Sequence, residues 1–271
     1  MLEKLETELK LRGFTDKTLK AYLFHNKAFL NYIKKKPEQI TQEGIKSYIA
    51  YIMSEKNYKA ASTNLAISAL RFYYEEILKN KFFTNIKPPK IEKKIPTALT
   101  KEEVKKLINS IENPKHRLLV ELMYASGLRV SEAVSIKVDD LSLEEGLGTI
   151  REGKGKKDRH IIISQSLIPK IKDYVANRKN ESEYLFSGWN GHMSTRMAQK
   201  IVTDAGEKAG IKKRVYCHIL RSSFATHLLE NNVDIRKIQV LLGHSSISTT
   251  ERYTKISTKQ LKEIQSPLDS L

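Results

Sequence analysis

The segment NKFFTNIKPPKIEKKIPTALT, residues 80–100, divides the chain in two. It holds three prolines, repeated lysines and no apolar period, so it reads as a linker. At its end Thr100-Lys-Glu-Glu103 forms a capping box that starts a new helix. Upstream, apolar residues recur at helical spacing. Thr15 or Asp16 caps a helix over 17–32, whose Leu19, Tyr22, Leu23 and Phe29 share a face. Thr41 opens another through Met53, and residues 60–79 form a further one. Downstream, helices are predicted at 101–111 and 114–125, with a break at Gly127 and another helix from Val130. The period then changes. GTIREGKGKKDRHIIIS, residues 148–164, has two β-prone runs around GKGKK and predicts a hairpin. Residues 165–178, 194–209, 219–230, 234–242 and 257–265 return to helix. The expectation is a mainly α, two-domain chain. It has an all-helical domain over 1–82, a basic proline-containing linker over 83–99, and a mostly α domain with one small antiparallel sheet (α+β) over 100–271.

Composition narrows the function. The chain has 271 residues, enough for two modest cores, and 40% are apolar. No run approaches twenty apolar residues, so no membrane partner is expected. The start MLEKLETELKLRGF is charged, unlike a signal peptide. One cysteine, Cys217, excludes an internal disulfide and suits a reducing cytoplasm. The net charge is +17. Residues 1–90 hold 17 Lys/Arg against 9 Asp/Glu, and residues 91–271 hold 31 against 22. Both halves are basic, which points to a polyanion contacted along the whole chain, nucleic acid before a membrane surface. A cytoplasmic, nucleoid-associated location follows.

Four separated stretches carry unusual groups: ASGLRVSEA with Arg129, GKGKKDR with Lys154, CHILRSSFATH with His218 and Arg221, and LLGHSSISTTERY with His244 and Tyr253. A phosphodiester attacked by an oxygen nucleophile builds negative charge on its non-bridging oxygens, and fixed cations aimed there stabilise it. Arginine's planar fork grips two phosphate oxygens. The leaving oxygen needs a proton, which lysine or histidine supplies. A tyrosine hydroxyl, with a reference pKa of about 10, needs a base or neighbouring cations to attack. The set meets these needs without a metal or cofactor. Blander readings stand beside it. Arg129 could cap a helix or pair with Glu132, and Lys156, Lys157 and Arg159 could be a solvated turn or backbone phosphate contacts. The acidic pairs Asp139–Asp140 and Glu144–Glu145 read as solvated charge rather than a paired-ion site. His25 and His116 read as surface or boundary residues, His192 and His227 lack metal-ligand spacing, and Cys217 reads as a small buried filler.

The four stretches, in this order and spacing, resemble the tyrosine recombinase (phage-integrase) family, most closely its compact Xer-type branch. The family's TGLRxSE, GKGxKxR, HxLRHxFAT and LLGHSSIxTTxxYT appear as Ala125–Glu132, Gly153–Arg159, His218–Thr226 and Leu241–Thr254. The resemblance implies a helical, SAM-like core-binding domain before the catalytic one. It implies Tyr253 as nucleophile forming a 3′-phosphotyrosyl link, and Arg129 and Arg221 on the scissile phosphate. Lys154 would be the general acid, His218 would help activate the tyrosine, and His244 would support the transition state. Where the family has proline and histidine, this chain has Cys217 and Ser222. The tail helix at about 257–266, with Leu261 and Ile264, could pack within its own chain; the resemblance implies instead that it docks in a neighbouring subunit and links four protomers on two DNA sites. Tyr253 is expected to be moved into place by that partner. Resolution of chromosome dimers, with an accessory translocase or a second recombinase as further partner, is the expected role. Mobile-element integration or excision, and a noncatalytic DNA-binding relative, are the alternatives.

Overall fold

A computed structural model describes residues 2–83, 85–91, 97–151, 158–178, 181–189, 191–244 and 246–254. The chain divides into two compact units between residues 93 and 94. No helix among the described residues is long and apolar enough to cross a membrane.

The first unit is all helical: α1 (Glu3–Leu11), α2 (Asp16–Ile33), α3 (Gln42–Ser54) and α4 (Ala60–Arg71). Thr15 and Thr41 accept the N–H groups of Thr18 and Gly44 at 3.3 and 3.2 Å, so each satisfies a donor that its helix leaves open. Leu5, Leu9, Phe29, Ile45, Ile52, Leu70 and Tyr74 meet in one buried core. Two expectations are corrected. The helix predicted over 60–79 stops at Arg71 and widens into a π-helical turn, Phe72–Ile77. Phe72, Tyr73 and Tyr74 are consecutive and all buried, and the wider turn, closed by Leu78 N–H on Tyr73 O at 3.0 Å, lets three neighbouring rings face inward. His25 is buried rather than at the surface, and burial lowers its pKa.

The second unit packs helices around α10 (Cys217–Glu230). The others are α5 (Lys101–Asn109), α6 (Pro114–Ala125), α7 (Val130–Ser135), α8 (Ile168–Asn177), α9 (Thr195–Lys208), α11 (Ile235–Leu242) and α12 (Ile247–Thr254). The Thr100–Glu103 capping box closes α5, with bonds of 2.8 and 3.1 Å. The predicted hairpin pairs β2 (Leu147–Ile150) with β3 (Arg159–Ile162), Ile150 opposite Arg159. β1 (Leu141–Ser142) adds a third antiparallel strand, and β4 (Ser187–Gly188) pairs with β5 (Gly191–His192). The described structure is thus mainly helical with a small three-stranded antiparallel sheet, as expected, and a second, two-stranded one that was not. Lys154, Lys156 and Lys157, part of the linker, the tail helix expected at 257–266 with Leu261 and Ile264, and Leu268 beyond it lie outside the described residues.

Of the acidic pair Asp139–Asp140, Asp139 is exposed as expected, but Asp140 is not solvated charge. Asp140 is buried, accepting the Lys137 N–H at 3.1 Å and Arg151 Nε at 2.6 Å. A carboxylate so engaged closes a turn. Among the described residues no group of three His, Cys, Asp or Glu side chains could hold a metal.

Candidate active site

Gly127 ends the turn after α6 with φ +60°, and a Cβ there would lie 2.4 Å from Phe224 Cδ1 of α10. The chain therefore runs close against α10, and its carbonyl accepts Arg221 Nη1 at 2.7 Å. Two residues on, Arg129 occupies the N-cap of α7. Its backbone N–H and its Nη1 both donate to Glu132, at 2.8 and 2.7 Å. The bland reading of Arg129 is thus realised, and it does not remove the residue from the site, because the side chain remains 26% exposed.

Glu132 is the hub. Arg159 from β3 donates to both of its oxygens, Nη1 and Nη2 each at 2.8 Å, and Arg221 Nη1 lies 3.8 Å away. Burial raises the Glu132 pKa, but the hydrogen bonds and charge of Arg159, with the backbone and side-chain hydrogen bonds of Arg129, outweigh it and hold the carboxyl at about 2. Arg159 is buried, not part of a solvated turn. Its Nε donates to Leu241 O at 2.9 Å, which ties the sheet to the end of α11. Sequence reading missed Glu132 and Arg159 as parts of the site. The signal was present: an acid three residues after Arg129, and an arginine closing the hairpin motif.

Arg221 is fully buried, with Nη1 on Gly127 O, Nη2 on Leu242 O, and Nε without a hydrogen-bond partner among the described residues. Burial first, then the positive charge of Arg129 and Arg159, lowers its pKa to about 10, with Glu132 opposing; it stays charged at neutral pH. Gly243, at φ +60°, ends α11 and turns the chain so that His244 follows. A Cβ on Gly243 would lie 2.6 Å from Arg159 Cδ, so this turn sits directly on the arginine cluster. His244 Nδ1 is 2.9 Å from the Thr250 hydroxyl, and its ring lies 6.4 Å from the Tyr253 ring at 16°. Burial, then Arg221, Arg129, His218 and Arg159, lower the His244 pKa to about 4, so the imidazole is neutral at pH 7.

Tyr253 sits on α12, a helix that the sequence did not predict. ISTTERYT is rich in hydroxyl and β-branched residues with weak helix propensity. Tertiary burial overrides that weakness. The Tyr253 ring, 3% exposed, packs with Phe224, Ala225, Leu229, Ile238 and Leu242, and Thr250 is fully buried. The Tyr253 ring is packed beside His244 within one chain. His218 is exposed at the start of α10 and close enough to act on His244 electrostatically. The structure therefore brings Arg129, Arg221, His244 and Tyr253 together, with His218 at the rim. Cys217 is a buried filler whose thiol burial pushes up to about 11. Ser222 is buried beside Arg221 in sequence.

A tyrosine stacked on a neutral histidine, against a cluster of guanidiniums on a two-unit helical fold, defines a phosphodiester-transfer class of protein. The profile of the phage integrase family matches residues 97–260, and that of the phage integrase N-terminal SAM-like domain matches residues 1–83. The chain belongs to the phage integrase family, and within it to the tyrosine recombinases of Xer type, enzymes of DNA cleavage and religation. It is 41% identical to tyrosine recombinase XerA of Pyrococcus furiosus over 269 residues, covering 97% of this chain and 92% of that one. Against a crystal structure of XerA recombinase the identity is 32% and the TM-score 0.57, covering 97% and 95% of the two chains. Against XerH recombinase bound to palindromic difH substrate in a post-cleavage complex, identity is 26% and the TM-score 0.74, covering 97% and 82%.

Proposed function

We propose that this chain performs site-specific recombination of double-stranded DNA through a 3′-phosphotyrosyl intermediate on Tyr253. The observation that supports it is the convergence of Arg129, Arg221, His244 and Tyr253 from α7, α10, the turn after α11, and α12. In this reading the Tyr253 oxygen attacks the phosphorus while the bond to the 5′-oxygen breaks. Lys154 protonates that oxygen, releasing a 5′-hydroxyl, and His218 takes the tyrosine proton. Arg129, the arginine open to solvent, meets the phosphate first. Arg221 engages once DNA displaces what covers it, and each such donor contributes about 3 kcal/mol to the transition state. Neutral His244 donates one ring N–H to a phosphate oxygen. Attack by another strand's 5′-hydroxyl reverses the sequence and rejoins the DNA, so energy stays in the phosphoester and no cofactor is needed.

Likeness to Xer recombinases over nearly the whole chain supports chromosome dimer resolution as the role, with the associated parts in chromosome partition and cell division. Four protomers would assemble on two DNA sites through the tail helix at 257–266, with an accessory translocase or a second recombinase as further partner. The Tyr253→Phe variant should bind duplex DNA with unchanged affinity and trap no covalent complex on nicked duplex, whereas the wild-type chain traps one. Mapping the DNA trapped in cells should return a single chromosomal site. An adduct in the variant would overturn the nucleophile, and scattered or element-end sites would overturn dimer resolution.

A further inference from the structure

The chain has one tryptophan, and Trp189 is 102% exposed at the tip of the β4–β5 hairpin. Single exposed aliphatic residues are ordinary on protein surfaces. A wholly exposed indole is not, because that ring has the largest apolar area of any side chain. Two paired residues on each strand lie beneath it. Ser187 pairs with His192 and Gly188 with Gly191, and a Cβ on Gly188 would lie 2.4 Å from the His192 carbonyl oxygen. Lys115 Nζ donates to Ser187 O at 2.6 Å, and the His192 ring packs edge-on against Tyr184 at 5.2 Å. An aromatic held out on such a support loses little freedom when it meets a partner.

The hairpin is tied to the candidate active site. Its stem hydrogen-bonds to the residues just after α7: Leu185 N–H to Ile136 O at 2.9 Å, and Val138 N–H to Glu183 O at 2.8 Å. Arg129 caps the other end of that six-residue helix. Path lengths along α7 and up the hairpin put Trp189 within about 30 Å of Arg129. That is fewer than about ten base pairs of duplex at ~3.4 Å each.

Charge selects the partner. Between Glu183, which is paired with Lys137 at 2.7 Å, and Asp204 the sequence has no acidic residue; Arg196 is exposed on α9 just beyond the hairpin, and Lys200, also exposed there, shares a cleft with Glu112 and Asp204. A second copy of this chain, itself at +17, would meet that surface with like charge. A polyanion with apolar faces suits it, and duplex DNA offers deoxyribose and base edges beside phosphates. We infer that Trp189 is a DNA contact of the catalytic unit: the indole presses against the duplex flanking the cleavage position, while Arg196 and Lys200 hold its backbone. This rests on the DNA-recombinase reading above.

Because Trp189 is the only tryptophan, its emission reports on this contact alone in the unmodified full chain. The probe is a 30-base-pair random-sequence duplex carrying a dye, at low salt, with binding followed by dye anisotropy and Trp189 accessibility by acrylamide quenching. Without DNA, quenching should match that of a free indole. At saturating duplex the quenching constant should fall at least threefold and recover when salt releases the DNA. Trp189→Ala should weaken duplex binding about threefold to tenfold with an unchanged salt slope. Binding by anisotropy with quenching unchanged overturns the contact while leaving the recombinase reading intact. No binding at all overturns both. Shielding that grows with protein concentration in the absence of DNA assigns the surface to a second copy and overturns the proposal.

Discussion

Replacing Glu132 by glutamine tests the architecture of the arginine cluster directly. The carboxylate accepts three guanidinium bonds of 2.7–2.8 Å and the Arg129 N–H, and it faces a fourth guanidinium donor at 3.8 Å. An amide of the same shape keeps one acceptor oxygen, turns NH2 toward a cation, and leaves the buried Arg159 and Arg221 without a counter-charge. The size of the effect follows from proton linkage. A carboxyl held at about 2 in the folded chain, against about 4.5 unfolded, stabilises the fold by about 3 kcal/mol at pH 7. The folded value is the depressed one, so this contribution is complete above pH 4.5 and is lost as pH falls through 2. Chemical denaturation of wild type and Glu132→Gln, followed by circular dichroism, should show a gap of about 3 kcal/mol at pH 7, a urea midpoint lower by about 1 M or more. The gap should shrink to less than half by pH 3. A gap under about 1 kcal/mol at pH 7, or one that stays constant down to pH 3, would refute the reasoning.

Three further outcomes are expected. Gly127→Ala must place a Cβ at φ +60° and 2.4 Å from Phe224 Cδ1, so thermal unfolding should show a loss of about 2–4 kcal/mol, and DNA cleavage should slow because the Arg221 acceptor moves. His244, lowered to about 4, should titrate by NMR near that value in the free protein. Its lowered folded value means that stability is lost as pH falls from about 6.5 toward 4, and a midpoint near 6.5 would contradict the burial and cationic field assigned to it. Lys154→Ala should slow cleavage by about 10²-fold or more, and a 5′-phosphorothiolate leaving group, which needs no proton, should restore it. Absence of rescue would move the acid to Lys156 or elsewhere.

Residues whose meaning is local were legible in the sequence. Thr15, Thr41 and Thr100 mark helix starts through their own side chains. The strands around GKGKK declare themselves by alternation and glycine. Arg221 and His244 were found because their motifs are contiguous. What escaped depends on distant partners. Arg159 reads as a turn residue until Glu132, 27 positions away, is folded onto it. α12 has the composition of a loop and becomes helical because Tyr253 and Thr250 have a core to enter. Asp140 looked solvated because nothing nearby in sequence announces that Arg151 will return across the sheet to it. The π-helical turn at Phe72–Ile77 likewise answers to a core that needs three adjacent rings, which no helical period encodes.

The position of Tyr253 divides one side chain between two tasks. Its ring belongs to the small core of Phe224, Leu229, Ile238 and Leu242, so truncation to alanine would open a cavity there and cost about 3–5 kcal/mol. The hydroxyl contributes none of that packing. Selection for a folded protein therefore preserves an aromatic at this position whether or not the DNA is ever cut, and in the proposed mechanism selection for chemistry acts on a single oxygen. A descendant with phenylalanine here would fold, keep its arginine cluster and hold DNA. On the nucleophile role proposed for Tyr253, the distance from recombinase to passive DNA-binding protein is one atom.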